Sequence, residues 1–288
     1  MAIDYDKAMA SKLEGVEFTY GDRETMLYAL SVGMGRDQLD ETELAFTFEK
    51  ETLKTVPSMA AVLSRMAMGR DFGIDRTKVV HGEQRLTLHR AIPPEATIIA
   101  DGKIIDVVDK GEGRGALVYT QTDARLKPDG QPLYSIISTS FARGDGGFGG
   151  PGAPTSGKDL ALHEIPTRSP DASCGLEIRK DQALLYRLNG DRNPLHADPQ
   201  LALRVGFPVP ILHGLCTYGT ACYAILKTML NYEPDQVRGM DVRFSAPVLP
   251  GETITTNMWK DGTTVSFECR VNERDVTVLK NGKMTLAS

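Results

Sequence analysis

Hydrophobic positions in the second half of the chain first follow a helical spacing and then alternate. Apolar residues recur three or four positions apart at Leu215, Tyr218, Cys222, Ile225, Leu226 and Met229. This spacing predicts a long helix with one buried face. After Gly239, apolar residues alternate with polar ones at Val242 and Phe244, Ile254, Val265 and Phe267, and Val276 and Val278. The alternation predicts strands, and the turn pairs Asp261-Gly262 and Asn281-Gly282 are expected to separate them.

Shorter helices are expected before the long one. The segment from Asp181 to Leu188 has helical spacing, and Gly190 is expected to end it. Asp198 has the form of an N-cap followed by a first-turn proline. The first half shows a similar order, with a helix around residues 59–68 and strands near residues 84–88, 97–107, 116–122 and 133–142. One long helix followed by several strands predicts an α+β unit with an antiparallel sheet packed on the helix.

The strongest shift in composition falls between Gly144 and Gly157. This segment holds seven glycines and two prolines in 14 residues, which is incompatible with a regular helix or a central strand. Polar residues and further prolines continue to Ser173. The pattern predicts a first unit over residues 1–150, a linker over residues 151–172 and a second unit over residues 173–288, each of a size acceptable for a small domain.

The two predicted units share short stretches of sequence. Leu27-Tyr28-Ala29-Leu30 matches Leu185-Tyr186-Arg187-Leu188, which lies 158 positions later. Pro93-Pro94-Glu95 matches Pro250-Gly251-Glu252, which lies 157 positions later. Two short matches at nearly the same offset indicate a duplicated unit.

Composition limits the classes of protein to which the chain can belong. Of 288 residues, 41% are hydrophobic and 25% are charged, as in ordinary globular proteins with a sizeable core. The 33 Lys and Arg against 38 Asp and Glu leave a formal charge of −5. This balance argues against a general nucleic-acid binder, although it permits a local basic pocket. The sequence has no uninterrupted apolar stretch of the roughly 18 residues that a membrane span needs.

Neither end of the sequence resembles a targeting signal. Acidic residues stand near the N-terminus, where a signal peptide would have a basic and then an apolar region. The sequence ends Thr285-Leu286-Ala287-Ser288 rather than in a Ser-Lys-Leu peroxisomal signal. We therefore expect a cytoplasmic protein.

The four cysteines, Cys174, Cys216, Cys222 and Cys269, are widely spaced and form no C-x-x-C pair. Neither disulfides nor a structural zinc site is expected from this spacing. Cys216 and Cys222 fall in the long helix, where free cysteine is usually a small buried hydrophobe.

Two segments resemble phosphate-binding motifs in sequence, but the residues that follow do not fit either motif. Residues 144–149 fit G-x-G-x-x-G, but a dinucleotide loop must open a helix, and here more glycine and Pro151 follow. Residues 152–158 approach a P-loop, but Asp159 stands where a Ser or Thr must hold Mg²⁺. We interpret both as parts of the linker.

Candidate chemistry appears between Gly190 and His196. Pro194 keeps Asn193 out of the helical region, so Asp191, Asn193 and His196 are expected on a non-helical turn. A carboxylate and an imidazole five residues apart can hold a water between them and exchange protons with it. The alternative is structural, with Asp191 capping a turn and His196 satisfied within the fold.

A second candidate lies at the start of the long helix. There the first-turn N–H groups lack intrahelical acceptors and the dipole is positive. Gly214 has no side chain to block approach, so its N–H could bind an oxygen that gains negative charge. The alternative is that Gly214 is only a glycine required by the turn. His213 is expected to shape this turn rather than to act as a second catalyst.

At these residues the sequence resembles the hydratase 2 branch of the MaoC-like family, the (R)-specific enoyl-CoA hydratases. The resemblance is carried by Gly190-Asp191-Arg192-Asn193-Pro194-Leu195-His196 and by Pro210-Ile211-Leu212-His213-Gly214-Leu215. Supporting matches are Arg243-Phe244, Pro247, Pro250-Gly251-Glu252, His81-Gly82-Glu83-Gln84, Asp109-Lys110-Gly111 and Gly146-Gly147-Phe148-Gly149-Gly150. The resemblance implies an α+β double hot-dog fold, two tandem units each with an antiparallel sheet wrapped around a central helix.

The resemblance also implies a reaction of fatty acid metabolism, the reversible syn addition of water to a trans-2-enoyl-CoA, which gives a (3R)-3-hydroxyacyl-CoA. It implies that Asp191 and His196 are the catalytic acid/base pair, that Asn193 helps to order the water, and that Gly214 is the oxyanion donor. Residues implied to contact the acyl-CoA are His81, Gly82, Lys110, Arg192, Arg243 and Phe244. Neither a metal nor a redox cofactor is implied, and a homodimer is a further possibility.

The first unit has no equivalent pair. Opposite Asp191, at the offset of 158, stands Gly33, and the next ten residues hold no histidine. The resemblance implies that this unit gives room to longer acyl chains. Lys110 and Arg243 are candidates for contact with CoA phosphates. The alternative for Lys110 is a solvated lysine in a turn, and the alternative for Arg243 is a charge on the surface of a strand.

Two rival functions remain open at this point. A hot-dog thioesterase would release free CoA thiol from an acyl-CoA. An acyl-CoA-binding protein would keep the pocket without turnover, although Asp191 and His196 make this the less favoured alternative.

Overall fold

The computed structural model describes residues 3–64, 72–75 and 78–288. Ten strands run through them: β1 (Lys12–Tyr20), β2 (Val79–Leu88), β3 (Ala96–Asp109), β4 (Ala116–Leu126), β5 (Pro132–Ala142), β6 (Ala172–Glu177), β7 (Val237–Phe244), β8 (Thr253–Asp261), β9 (Thr264–Val271) and β10 (Val276–Leu286). All pair antiparallel in one sheet with the order β1-β3-β4-β5-β2-β7-β10-β9-β8-β6. The strands predicted in both halves are confirmed.

In the described part of the chain, seven α-helices accompany the sheet: α1 (Tyr5–Met9), α2 (Asp22–Ser31), α3 (Glu41–Thr47), α4 (Ala60–Leu63), α5 (Gln182–Tyr186), α6 (Pro199–Arg204) and α7 (Gly214–Met229). Asp198 caps α6 as predicted, because its carboxylate accepts from the N–H groups of Gln200 and Leu201 at 2.8 and 3.2 Å. A 3-10 turn over Pro57–Met59 and α4 begin the helix predicted over residues 59–68, and its remainder reaches residues 65–68, outside the described part of the chain. No helix among the described residues is long and apolar enough to cross a bilayer.

The long helix is buried more completely than its spacing predicted. Every residue from Cys216 to Leu226 is buried, so α7 packs on all sides rather than on one face. Gly219 shows why this is possible, since a Cβ there would lie 2.5 Å from Cγ1 of Val32 and 2.9 Å from the hydroxyl oxygen of Tyr28. The first half of the chain therefore covers the side of α7 that would otherwise face solvent.

The sheet consists of two five-stranded halves with the same strand order. The first is ordered β1-β3-β4-β5-β2, the second β6-β8-β9-β10-β7, and β2 pairs with β7 to join them. Sequence patterns did not predict β1 or β6. Both are edge strands with exposed and half-buried residues along most of their length, so neither has the apolar content that marks a buried strand. The repeated order confirms the α+β architecture of two like units.

Contacts between equivalent residues support the duplication. The rings of Tyr28 and Tyr186, which are 158 positions apart, have centroids 6.1 Å from each other. Nδ2 of Asn189 donates to Oγ of Ser31 at 2.9 Å across the same offset. In a two-fold arrangement the residues near the axis contact their own equivalents. An approximate two-fold axis therefore passes between α2 and α5.

The segment after β5 has no regular secondary structure, as predicted, but it is bound to the sheet. Asp109 accepts from the N–H groups of Gly147 and Gly149 at 2.7 and 2.8 Å, and the N–H of Thr155 donates to Asp106 at 2.6 Å. Farther along, Nη2 of Arg85 in β2 donates to the carbonyl of Leu160 at 2.7 Å. The glycine run opens no helix, which agrees with the rejection of a dinucleotide loop.

One turn prediction is wrong. Asp261-Gly262 does connect β8 with β9, but Asn281-Gly282 lies inside β10. There the register of β10 against β9 shifts between Leu279 and Gly282, and Asn281 has a φ of 57°. A Cβ at Gly282 would lie 2.4 Å from the carbonyl oxygen of Phe267. The pair therefore forms a β-bulge, which uses the same backbone freedom as a turn while the strand continues.

Candidate active site

The loop after α5 is shaped by its backbone. A 3-10 turn over Arg187–Asn189 ends at Gly190, whose φ of 102° reverses the chain as only glycine does readily. A second 3-10 turn then covers Pro194–His196, and Oδ1 of Asn193 caps it by accepting from the N–H of Leu195 at 3.0 Å. Asp191 thus lies just before this short turn, and His196 is its last residue.

His196 is turned inward from this loop. It is 9% exposed, and its Nδ1 lies 2.8 Å from the carbonyl oxygen of Ile211. Because a carbonyl oxygen only accepts, Nδ1 carries the proton in this bond and Nε2 is the nitrogen able to exchange protons.

His213, the residue before α7, joins the cluster. It is 1% exposed, and its Nε2–H donates to the backbone carbonyl of Asp191 at 3.1 Å. Its ring stacks on that of His196 with centroids 3.7 Å apart and an interplanar angle of 25°. The sequence indicated only a residue that shapes the turn; a histidine directly before a helix was the available signal.

The side chains of Asp191, His196 and His213 converge on one point. One carboxylate oxygen and one nitrogen from each imidazole all lie within 4.8 Å of one another. The stacking of the imidazoles disfavours a shared metal ion, since lone pairs in two nearly parallel ring planes do not meet at one atom. The arrangement suits proton transfer to a bound water better than metal ligation.

Gly214, the first residue of α7, borders this cluster on the side of the sheet. A Cβ at Gly214 would lie 3.3 Å from Cδ1 and Cε1 of Phe244, at the end of β7. The ring of Phe244 is 4.6 Å from that of His81 in β2. Gly82 follows His81 in β2, at the point where the register of β2 against β5 shifts. Residues from α7, β7 and β2 therefore meet beside Gly214.

The other predicted contact residues lie at the periphery. Arg243 is exposed and precedes Phe244 in β7, so its side chain points to the opposite face of the sheet. Arg192 is exposed, and its backbone carbonyl accepts from Arg187 at 3.1 Å. Lys110 is exposed in the β3–β4 hairpin. Register places this hairpin at the end of the sheet that carries His81, since Asp109, Ala116, Ala142 and Val79 are successive partners across four strands.

Two family models match the chain in succession. Residues 18–144 match the MFE-2 hydratase 2 N-terminal domain, and residues 162–282 match the MaoC-like domain. The two matched ranges follow the two halves of the sheet.

Two curated relatives match nearly the full length. The chain is 38% identical to the enoyl-CoA hydratase ChsH3 of Mycobacterium tuberculosis, with 98% of each chain covered. It is 36% identical to a protein of Arabidopsis thaliana named peroxisomal enoyl-CoA hydratase 2, with 95% of this chain and 93% of that protein covered.

Solved structures share the fold. A MaoC-like dehydratase from Phytophthora capsici superposes with a TM-score of 0.87 at 31% identity, covering 99% of this chain and 98% of that one. A Mycobacterium tuberculosis protein described as having a double hot-dog fold gives a TM-score of 0.57 at 15% identity, covering 98% and 97% of the two chains. The latter likeness concerns the fold alone. The predicted double hot-dog is confirmed.

Proposed function

The chain belongs to the MaoC-like family, in its hydratase 2 branch, and on this premise we propose that it is an (R)-specific enoyl-CoA hydratase. The enzyme is a hydro-lyase that adds water reversibly to a trans-2-enoyl-CoA and forms a (3R)-3-hydroxyacyl-CoA. The observation that carries the proposal is the convergence of the Asp191 carboxylate and the His196 imidazole beside the first residue of α7.

Asp191 and His196 hold the water in the proposed mechanism. One O–H bond of the water breaks and its proton passes to the pair, the water oxygen bonds to C3 of the substrate, and the pair delivers a proton to C2 as the double bond becomes single. A water held between two groups supplies oxygen and hydrogen from the same side, which is what syn addition requires. Asn193 is proposed to help order this water, although its side-chain oxygen also caps the turn at Leu195.

Gly214 supplies the electrostatic part of the mechanism. As the bond to C3 forms, negative charge moves to the thioester oxygen. The N–H of Gly214 belongs to the first turn of α7, whose N–H groups lack intrahelical acceptors and lie at the positive end of the dipole. A donor aimed at the developing charge lowers the barrier more than one aimed at the ground state.

The acyl-CoA is proposed to enter along the end of the sheet where Phe244, His81 and Gly82 lie. Lys110 and Arg192 are exposed and would contact CoA phosphates as charges on the rim. Arg243 points to the opposite face of the sheet and is left out of this pocket. The first unit, over residues 1–150, is proposed to accommodate the acyl chain, and the unit over residues 173–288 to catalyse. A cytoplasmic location and a homodimer are further proposals.

Hydration of crotonyl-CoA, and of longer enoyl-CoA substrates, tests the function. Asp191→Asn and His196→Gln are each expected to lower kcat by at least about 100-fold, because general acid–base catalysis contributes about that much or more. Loss of absorbance of the conjugated enoyl bond measures hydration, and a thiol assay in parallel detects thioester hydrolysis.

The control is His89→Gln, which changes an exposed histidine that bonds Ser135 in the sheet. Near-normal hydration by folded Asp191→Asn or His196→Gln protein would contradict the proposal, and release of thiol without hydration would favour a thioesterase.

A further inference from the structure

His213 contacts both members of the proposed catalytic pair through different atoms. Its Nε2–H donates to the backbone carbonyl of Asp191 at 3.1 Å, while its ring face stacks on His196 at 3.7 Å. The two contacted residues come from the loop after α5, and His213 comes from the start of α7. His213 is therefore the point at which the helix that carries Gly214 is joined to the loop that carries the pair.

We propose that His213 is a positioning residue, which holds the Asp191 loop and the His196 ring in the geometry for proton transfer. This inference rests on the proposed hydratase function. Proton transfer depends steeply on the distance and angle between the groups, and a misplacement of about 1 Å can cost about 100-fold in rate. His213 touches neither substrate nor water in this proposal, and acts only through Asp191 and His196.

The ring of His213 packs on Tyr186, which packs on Tyr28, and the three rings form an aromatic column in the core. The ring of Tyr186 lies 5.0 Å from that of His213, and the ring of Tyr28 lies 6.1 Å from that of Tyr186. All three side chains are at most 1% exposed. The column runs from the junction of the two halves to His196, so packing in the core acts together with the bond to Ile211 in orienting the His196 ring.

The position of His213 also favours an uncharged ring. His213 is the N-cap of α7, and the positive end of the helix dipole disfavours a positive charge there. A neutral ring with its proton on Nε2 donates to the Asp191 carbonyl. It also leaves no second positive charge stacked on His196 when His196 takes a proton from water.

Two substitutions separate the two contacts. His213→Phe keeps a ring of similar shape against His196 but removes the N–H donor to Asp191. His213→Gln places an amide N–H at about the reach of Nε2 but removes the ring. We expect each to lower kcat at least about tenfold with KM within about twofold, because the substrate contacts remain.

A melting temperature measured for each variant distinguishes positioning from a purely structural role. A structural residue would lower the melting temperature and the folded fraction without changing kcat per folded molecule. His163→Gln is the matched control, since His163 bonds Ser266 on the outer side of the sheet, and its kcat should equal that of the wild type. Wild-type kcat in folded His213→Phe and folded His213→Gln would overturn the proposal.

A measurement without turnover keeps the proposal testable if a variant fails to fold. The chain has five histidines, so ¹⁵N NMR of the imidazoles of the wild-type protein can assign each tautomer. The expected result is a proton on Nε2 of His213 and on Nδ1 of His196 at neutral pH. A His213 that carries its proton on Nδ1 alone would overturn the positioning role. Absence of hydration by the wild type would instead contradict the proposed function, and the two failures are thereby distinguished.

Discussion

At the scale of single residues, two backbone carbonyl oxygens determine how the imidazoles of the site are protonated. Ile211 accepts from Nδ1 of His196, and Asp191 accepts from Nε2 of His213. Each carbonyl belongs to a loop that the fold holds in place, so the tautomers are consequences of the backbone. Nε2 of His196 is thereby assigned to proton exchange.

A single methyl group added at Gly214 should lower the activity. In Gly214→Ala the new Cβ would lie 3.3 Å from the Phe244 ring, which must shift at the place where the thioester oxygen is proposed to bind. We expect kcat/KM for crotonyl-CoA to fall at least about tenfold, with little change in melting temperature. Gly152→Ala is the control, because a Cβ there meets no atom within 4 Å. Unchanged kcat/KM in Gly214→Ala would contradict the proposed oxyanion site.

At the scale of elements, the duplicated loops have diverged into different tasks. Asp40 caps α3 as Asp198 caps α6, 158 positions apart, so the loops before these helices are equivalent. Where the second loop has Asp191, Asn193 and His196, the first has Gly33, Gly35 and Gln38. The first loop has therefore no carboxylate–imidazole pair.

A buried carboxylate organises the first loop instead. Glu43 is 3% exposed and accepts from the N–H of Gly35 at 2.8 Å and from the hydroxyl of Tyr232 at 3.0 Å. The Tyr223 hydroxyl also donates to it, and Nζ of Lys227 lies 3.4 Å away. Burial and the nearby Glu43 carboxylate raise the pKa of Tyr223 above its usual value, so that hydroxyl stays a donor. The loop of the first unit thus serves the packing of α3 against α7.

The close approach of α7 to the first half predicts an overpacking effect at Gly219. Gly219→Ala should improve helix propensity by about 1 kcal/mol, but the new Cβ would lie 2.5 Å from Cγ1 of Val32. Overpacking typically costs about 1–3 kcal/mol, so we expect a net loss of up to about 2 kcal/mol in the free energy of unfolding, measured by urea denaturation.

The matched double variant gives the control. Val32→Ala removes the methyl groups that meet the new Cβ, so Gly219→Ala should cost less in the Val32→Ala background than in the wild type. Equal costs in both backgrounds would show that this contact does not limit the packing of α7.

At the scale of the whole molecule, the segment between the units connects residues far apart in sequence. Asp109 at the end of β3 binds the Gly147 and Gly149 N–H groups, and His163 bonds Ser266 in β9. Between these points Arg85 of β2 binds Leu160. The segment therefore crosses the outer face of the sheet from one unit to the other.

This attachment should weaken at low pH. The N–H of Gly147, followed by those of Gly111 and Gly149, holds the pKa of Asp109 below its usual value. The stabilisation is therefore fully present above the unfolded-state pKa of about 3.9, and it is lost as the pH falls through the lower folded-state pKa. Asp109→Asn should be less stable than the wild type at pH 7, and the difference should shrink below about pH 4.

Urea denaturation of both proteins at a series of pH values measures this difference. Glu14→Gln, which changes an exposed residue paired with Lys12, provides the control for a general effect of losing one acid. A stability difference that is constant from pH 7 to the acid range would rule out the ionised Asp109 as its source.

Local patterns determined much of the second unit. Helical spacing located α7, alternation located β7 to β10, and Asp198 correctly opened α6. The Asp191–His196 turn could be predicted because both residues lie within six positions, where a glycine and a proline restrict the backbone. The Asn281-Gly282 bulge could not be told from a turn, since both use the same backbone conformations.

Only the tertiary structure brought residues from distant segments together. His213 stacks on His196, and Phe244 packs between Gly214 and His81, through contacts that span 17 to more than 160 positions. The edge strands β1 and β6, the burial of α7 on all sides, and the course of the segment between the units have the same origin. Local sequence limits backbone conformation over a few residues, whereas these features depend on which surfaces the whole chain buries against each other.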